Sequence, residues 1–228
     1  MHEHADGQFT FVRKGLISLE TETGVWVIPE GQLAWVPAGL RHASRSRGPV
    51  DFWLVLVGPM YARRLPSRVS ILKASPLLTA GLERISMMSD TESKLSKLLH
   101  ELVILEIESI ESEEFGIPLP SSARLRAWAT AFVLNPRSKL SIDQAASAVR
   151  MSRRSFTRHF SLQTGKNFSE WKRLVIVQHA IERLAQGDGV GSIAYDMGYE
   201  NPSAFIAMFK AMRGISPGRF DSFNVNDR

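Results

Sequence analysis

The sequence predicts a two-domain protein: an amino-terminal all-β barrel, a helical linker, and a carboxyl-terminal all-α half built from two helix-turn-helix units. Three observations carry that reading. Over about the first seventy residues, short segments rich in Val, Ile, Phe and Trp are parted by Gly and Pro-Gly at 8 to 12 residue spacing, the rhythm of a small sandwich or barrel. From about Ser75 the apolar period changes from that of a strand to that of a helix. Finally, the stretch from Leu140 to Phe220 repeats itself. Ile142, Ala145, Ala146, Val149, Met151, Phe156 and Phe160 return as Val190, Ile193, Ala194, Met197, Tyr199, Phe205 and Phe209, offset by 48 residues up to Tyr199 and by 49 from Phe205. At 228 residues the chain is long enough to bury two cores.

In order, QFTFVRKGLISLET, GVWVIPEG, QLAWVPAG and VDFWLVLVG read as strands of a domain over residues 1–72. Within it, Gly31, Pro37, Gly39 and His42 keep the spacing of glycine, five residues, proline, one, glycine, two, histidine, and this segment resembles the second cupin motif. Upstream, His2, His4 and Gln8, with Gly15 beyond, resemble the first; Gln8 stands where metal-binding cupins usually carry Glu. The resemblance implies a cupin-like sensor barrel. Alternating strand positions share a face, so His2 and His4 project together and His42 joins them from a neighbouring strand. Three imidazoles and the Gln8 amide oxygen suit a divalent transition metal such as nickel, iron, manganese or zinc. The alternative is a set of barrel histidines without a ligand role, and Gln8 removes a negative charge that would help hold a cation. Met1 stands just before the first motif, so the strands that precede it in cupins are expected to be missing, as a start placed too far downstream would leave them. Trp26, Trp35 and Trp53 are expected in the core; the alternative is a barrel mouth lined with aromatics that accepts a small apolar molecule.

Residues 73–114 read as a helical linker. SPLLTAGLERISMM is a short amphipathic helix, and ESKLSKLLHELVILEIESI carries Leu95, Leu98, Leu99, Leu102, Val103 and Leu105 as a broad apolar stripe. Leu95, Leu98, Leu99 and Leu102 are the candidate homodimer seam, flanked by Lys94, Lys97, Glu101 and Glu108; the alternative is packing against the barrel of the same chain. Gly116, Pro118 and Pro120 then break the helix, and residues 115–120 are expected to form an extended hinge. Beyond it, residues 121–228 open with an entry helix, SARLRAWATAFVLNP.

Charge divides the chain in the same place. Residues 1–120 hold 12 Lys and Arg against 15 Asp and Glu, a net of −3, whereas residues 121–228 hold 16 against 8, a net of +8. Only the carboxyl half is suited to approach a polyanion. With no cysteine, disulfides and thiolate metal sites are excluded. With no charged-then-apolar leader and no apolar run near 18 residues, the expectation is a soluble cytoplasmic protein with no membrane partner.

In the first repeat, IDQAASAV forms one helix, Arg150 and Met151 break it, and Ser152 caps a second, SRRSFTRHF. In the second, VGSIAYDMGY ends at Gly198, and Asn201-Pro202 supplies a cap and a first-turn proline. Between them NFSEWKRLVIVQHAIERLAQG is a helix of about seventeen residues, roughly 25 Å long, that can hold two recognition helices about one DNA turn apart. With these parts in place, the carboxyl half resembles the paired helix-turn-helix domain of the AraC/XylS transcription regulators. GKNFSEW and GISPGRF occupy the ends of the two units, and MGYENPSAFIAMFK is similar to the family's second motif. Arg150 departs from the pattern, since close relatives tend to carry Gly there; it either strains the turn or adds a phosphate contact. WKRLVIVQHAIERLAQG resembles a branch with cupin sensors, some of which respond to nickel or govern efflux.

The resemblance implies a sequence-specific DNA-binding transcription regulator, not an enzyme, whose barrel senses a small molecule or a metal ion, nickel included, and controls promoter binding. Its partners would be double-stranded promoter DNA, the effector, a second copy, and RNA polymerase if it activates. The expected DNA contacts are Ser152, Arg153, Arg154, Thr157 and Arg158 on the first recognition helix, with Arg154 foremost as a base reader. Asn201, Ser203, Ala207 and Lys210 on the second are expected to clamp phosphates and read little. Two other readings stay open: a metal-dependent cupin enzyme with a helical appendage, and a DNA-binding protein that needs no ligand.

Overall fold

The computed structural model describes residues 1–46, 48–90, 93–110, 116–136 and 139–222, excepting the side chains of 221 and 222. In chain order the strands are β1 (Gly7–Lys14), β2 (Leu16–Thr21), β3 (Gly24–Pro29), β4 (Gln32–Val36), β5 (His42–Ser46), β6 (Asp51–Val57), β7 (Ser70–Lys73) and β8 (Ile117–Pro118). The helices are α1 (Pro59–Ala62), α2 (Pro76–Ser86), α3 (Lys94–Ser109), α4 (Ala123–Leu134), α5 (Ile142–Ala148), α6 (Arg153–Thr164), α7 (Phe168–Ala185), α8 (Val190–Asp196), α9 (Pro202–Arg213) and α10 (Pro217–Ser222). They gather into two compact units, Met1–Ile17 with Ile28–Phe115, and Ser18–Val27 with Gly116–Arg228. Among the described residues no helix is long and apolar enough to cross a membrane.

The first unit is an antiparallel β-domain with three helices, α1, α2 and α3. Its sheet has the order β6-β1-β4-β7, with Phe9 opposite Trp35 on β4 and opposite Val55 on β6. QFTFVRKGLISLET, expected as one strand, is broken at Gly15, whose φ of 86° lies in the left-handed region that glycine enters without strain. β1 is buried on both faces. Phe9 and Phe11 point to one side, where Trp35, Leu72 and the buried residues of α2 and α3 complete the core, and Gln8 and Thr10 point to the other. Gly7 is required by this packing, because a Cβ there would meet the Trp35 ring at 2.0 Å.

α3 divides the stripe read from its sequence. Ser96, Val103, Ile104 and Ile107 are buried, whereas Leu95, Leu98, Leu102 and Leu105 are 39 to 58% exposed; Leu99 is half-buried. The exposed leucines recur at spacings of three, four and three, which aligns them on one side of the helix. Arg64 reaches onto the same helix, donating to Glu108 at 2.8 Å and to Glu101 at 2.7 Å, and these carboxylates hold its guanidinium well above its usual pKa.

The second unit is mainly helical. Of the residues expected to form a hinge, Phe115 lies outside the described residues, as do 111–114 before it, while Ile117–Pro118 form β8. There Val25 of β3 pairs with Ile117, and the Leu119 N–H donates to the Thr23 carbonyl at 2.9 Å. The core around α6 is aromatic. Trp128, Phe132, Phe156, Phe160, Phe168 and Trp171 touch ring to ring, and the Trp171 indole N–H donates to the Pro118 carbonyl at 2.8 Å. Helix starts follow the capping residues. Ser141, Ser152, Asn167 and Asn201 each accept a first-turn amide N–H through the side chain, and α6 and α9 end at Gly165 and Gly214 with φ of 70° and 74°.

Candidate nucleic-acid interface and metal centre

The two copies superimpose in their chemistry. Ala145, Ala146, Val149, Phe156 and Phe160 are buried in the first, as Ile193, Ala194, Met197, Phe205 and Phe209 are in the second. Each turn closes with the same pair of bonds. Met151 N–H donates to Ala146 and Arg150 N–H to Ser147; Tyr199 N–H donates to Ala194 and Gly198 N–H to Tyr195. This is the Schellman pattern, which requires a left-handed residue just past the helix. Gly198 meets it with φ 79°, and Arg150 meets it with φ 54°. The residue that changes the offset from 48 to 49 is Glu200: Ser152 follows Met151 directly as cap, whereas one residue separates Tyr199 from Asn201.

The recognition helices run further than expected, to Thr164 and Arg213, twelve residues each. Phe156 and Phe160 anchor α6, which leaves Arg153, Arg154, Thr157 and Arg158 exposed. Their hydrogen bonds sort them. Ser152 Oγ accepts the Ser155 N–H as cap; Thr157 donates to the Arg153 carbonyl; Arg153 pairs with Asp143 of α5 at 3.3 Å; and Arg158 lies 3.3 Å from His159 Nε2. Among the described residues Arg154 makes no ion pair. On α9 the Asn201 side chain accepts the Ser203 N–H at 2.8 Å, and Ser203, Ala207 and Lys210 are exposed. α7 has eighteen residues, roughly 27 Å at about 1.5 Å per residue, against a major-groove repeat of roughly 34 Å.

In the first unit, His2, His4 and His42 come together by a route other than strand alternation. The segment before β1 makes a single antiparallel bridge with the start of β5: His2 and His42 exchange backbone hydrogen bonds of 2.9 Å, and the Gly39 N–H donates to the His4 carbonyl. The His42 ring lies 4.4 Å from that of His2 and 5.0 Å from that of His4, centroid to centroid, and one nitrogen from each ring lies within 4.8 Å of the others. His42 is fully buried. Its Nδ1–H donates to the Leu40 carbonyl at 2.9 Å, so Nε2 carries the lone pair, and that atom is buried without a partner. Burial pushes its pKa down, towards the neutral ring. His4 repeats the arrangement: Nδ1–H donates to the Asp6 carbonyl, and Nε2 faces the Gln8 amide oxygen at 2.9 Å. The Gln8 amide nitrogen donates to Thr10 at 3.0 Å, which orients its oxygen toward His4. A proton on Nε2, a Gln8 amide turned over to donate from its nitrogen, or a cation beside both atoms satisfies that distance. Carbonyl-anchored imidazoles with a free Nε2 are the usual outer-shell arrangement of metal-binding histidines, so this donor set fits a divalent transition metal.

Lys139, Lys172 and Arg173, which share a cleft in the second unit, were not singled out in the sequence. The first stands in a connection and the others on the spacer, and spacing alone gives no reason to join them.

Comparison with known proteins agrees with the geometry. Residues 145–222 match the family model described as a helix-turn-helix domain. The chain is 25% identical over 222 residues to the HTH-type transcriptional regulator NimR of Escherichia coli K12, covering 96% of this chain and 81% of that protein. It is 31% identical over 108 residues to the HTH-type transcriptional regulator RipA of Corynebacterium glutamicum, spanning 47% of this chain and a third, 33%, of that one. Among solved structures, ToxT from Vibrio cholerae O395 aligns over 99% of this chain and 92% of its own at 13% identity and a TM-score of 0.45. The C-terminal domain of AraT from Geobacillus stearothermophilus aligns over 45% of this chain and 86% of its own at 21% and 0.42. At those scores neither likeness carries weight. The matched model and the duplicated geometry show a helix-turn-helix domain in the carboxyl half, and over nearly its whole length the chain is similar to an HTH-type transcriptional regulator.

Proposed function

We propose that this regulator reads operator DNA through the arginine face of α6, uses α9 mainly as a clamp, and adjusts promoter binding to an effector held in its amino-terminal domain. The asymmetry of two otherwise matched helices carries the reading. At the 49-residue offset, Arg154 and Arg158 in the first copy stand where the second has Ser203 and Ala207. An arginine bidentate to guanine contributes about 1–3 kcal/mol of discrimination, whereas a serine or alanine offers a phosphate bond or contact with a thymine methyl. Arg153, Thr157 and Arg158 would flank Arg154 in the groove, and Ser152 and Asn201 would set the helix starts. Genome-wide capture of bound DNA identifies the operator. On it, Arg154→Ala should weaken binding about 10- to 100-fold, well beyond the loss on a random duplex. An equal loss on both would sink base reading by Arg154.

For the effector, the same proposal names a divalent transition metal, nickel among the candidates, held by His2, His4 and His42 with Gln8 as a fourth donor. The support is the buried, unpartnered Nε2 of His42 beside two other imidazoles. A bound ion would supply positive charge tying residues 2–8 to the start of β5. Metal analysis and thermal shift with nickel, zinc and manganese test it against His42→Ala. If no metal shifts the unaltered protein, the effector is an organic small molecule or none is needed. Turnover of a metal-loaded sample would favour the cupin-enzyme alternative.

The exposed Leu95, Leu98 and Leu102, extended by Leu105 and flanked by the half-buried Leu99, support a homodimer seam on α3. An activator would in addition contact RNA polymerase.

A further inference from the structure

A cleft of about 530 Å³ lies along the spacer, between the segment that enters the first helix-turn-helix unit and the second unit. Its floor is the spacer, through Ser169, Lys172, Arg173 and Ile176 of α7. Lys139, just before the first unit, forms one wall, and the turn at Gly198 and Tyr199 with the Met208 flank of α9 forms the other. On α9 that flank lies between the buried Phe205 and Phe209 and the exposed Ser203, Ala207 and Lys210. Three lining residues are cations and none is acidic.

The cations are not equivalent. The half-buried Lys172 donates from Nζ to the Leu140 carbonyl at 3.1 Å and lies 5.8 Å from the centre of the Phe168 ring. Because Leu140 follows Lys139 directly, that bond fixes the backbone beside Lys139 against the spacer. Lys139 and Arg173 are exposed, and among the described residues neither makes an ion pair.

We propose that this cleft is a third DNA contact, in which Lys139 and Arg173 take phosphates of the backbone that passes between the two major-groove sites. The inference rests on the DNA-binding reading above. Two helices entering successive major grooves from one side leave a minor groove between them, edged by both sugar-phosphate strands. The cleft runs from the segment that enters the first unit, over the helix that joins the units, to the turn and α9 of the second, and the proposal assigns it to that intervening position. Cations in a cleft with no acidic lining residue suit a polyanion, and neither a lysine nor an arginine at a backbone phosphate carries base information.

The salt slope is read on random DNA, and the affinities are compared with those on the operator. A random-sequence duplex of about 30 base pairs is titrated by fluorescence anisotropy between about 50 and 200 mM KCl, where each phosphate contact contributes about 0.9 to the slope of log affinity against log salt. Lys139→Ala with Arg173→Ala should lower that slope by about 2 and weaken operator and random duplexes by the same factor. Arg173→Lys should keep the slope, and an unchanged circular dichroism spectrum and melting temperature show that the variants remain folded. If the unaltered protein binds and the double variant keeps its slope, or loses affinity on the operator alone, this inference is overturned while the reading of α6 stands. If the unaltered protein binds no duplex, both fall.

Discussion

Arg150→Gly is expected to stabilise the protein. Arg150 holds the left-handed position of the first turn, φ 54°, and the second copy has Gly198 there at φ 79° in the same bond pattern. Holding an L-residue in that region costs roughly 1–2 kcal/mol, and the freedom glycine adds to the unfolded chain returns about 0.4–1 kcal/mol of this. The net gain should be about 0.5–1 kcal/mol. At a urea m-value of roughly 2 kcal/mol per molar, the midpoint would move up by about 0.3–0.5 M with the slope unchanged. Tryptophan fluorescence during urea titration reads it, since Trp128 and Trp171 sit in the core that holds α6. Gly198→Ala should move the midpoint the other way. A midpoint that falls or stays put in Arg150→Gly would mean that the Arg150 side chain offsets its own backbone strain, and the argument from the paired turns would fail. The same variant decides between strain and function: loss of about one unit of salt slope on DNA would show that the arginine also touches phosphate.

Other outcomes follow from features of the two cores and the exposed seam. Phe160→Ala removes a fully buried ring that touches Trp128, Phe156 and Trp171, and should cost about 3–5 kcal/mol in denaturant titration and abolish DNA binding with it. Leu98→Glu, on the exposed side of α3, should leave the melting temperature of dilute protein nearly unchanged and convert a dimer to a monomer in analytical ultracentrifugation. A variant that stays dimeric would move the interface elsewhere. His42→Ala should abolish any metal-dependent thermal shift while leaving α6 and its random-duplex affinity as they were, and a shift that survives the change would remove His42 from the ligand set.

The helical half was legible nearly residue by residue because its signals are local. Ser152 and Asn201 cap where the sequence expects them, and Gly187, the last residue of the stretch read as the spacer, takes φ 87° with its N–H bonded to the Leu184 carbonyl. The β-domain was legible only in part. β5 is HASRS, with Arg45 and two serines, and β8 is a two-residue Ile-Pro. Neither carries an apolar alternation of its own; each is a strand because a neighbour offers it backbone partners. The histidine cluster shows the same limit. Motif spacing joined His2, His4 and His42, but the means of joining them, a lone bridge ahead of β1, depends on two distant backbone segments. On α3 the apolar stripe was plain, while its division into a buried and an exposed set waited on the sheet it packs against. The cleft was invisible for a similar reason: Lys139 and Arg173 share it only in the folded chain, where Lys172 donates to the Leu140 carbonyl beside Lys139.

The burial of α7 bears on the promoter as much as on the protein. Ten of its eighteen residues are buried, Trp171 and Leu184 near its two ends among them, so the rod that joins the units is itself part of their cores. A hinged pair of readers could follow operators of several lengths; a pair sharing one rod cannot. Adding a single base pair between the two half-sites shifts the second groove by about 3.4 Å and turns it by about 35°, a mismatch that must be absorbed by bending the duplex at a cost of a few kcal/mol or by releasing one contact. The target sites of this regulator should therefore vary in letters far more freely than in length.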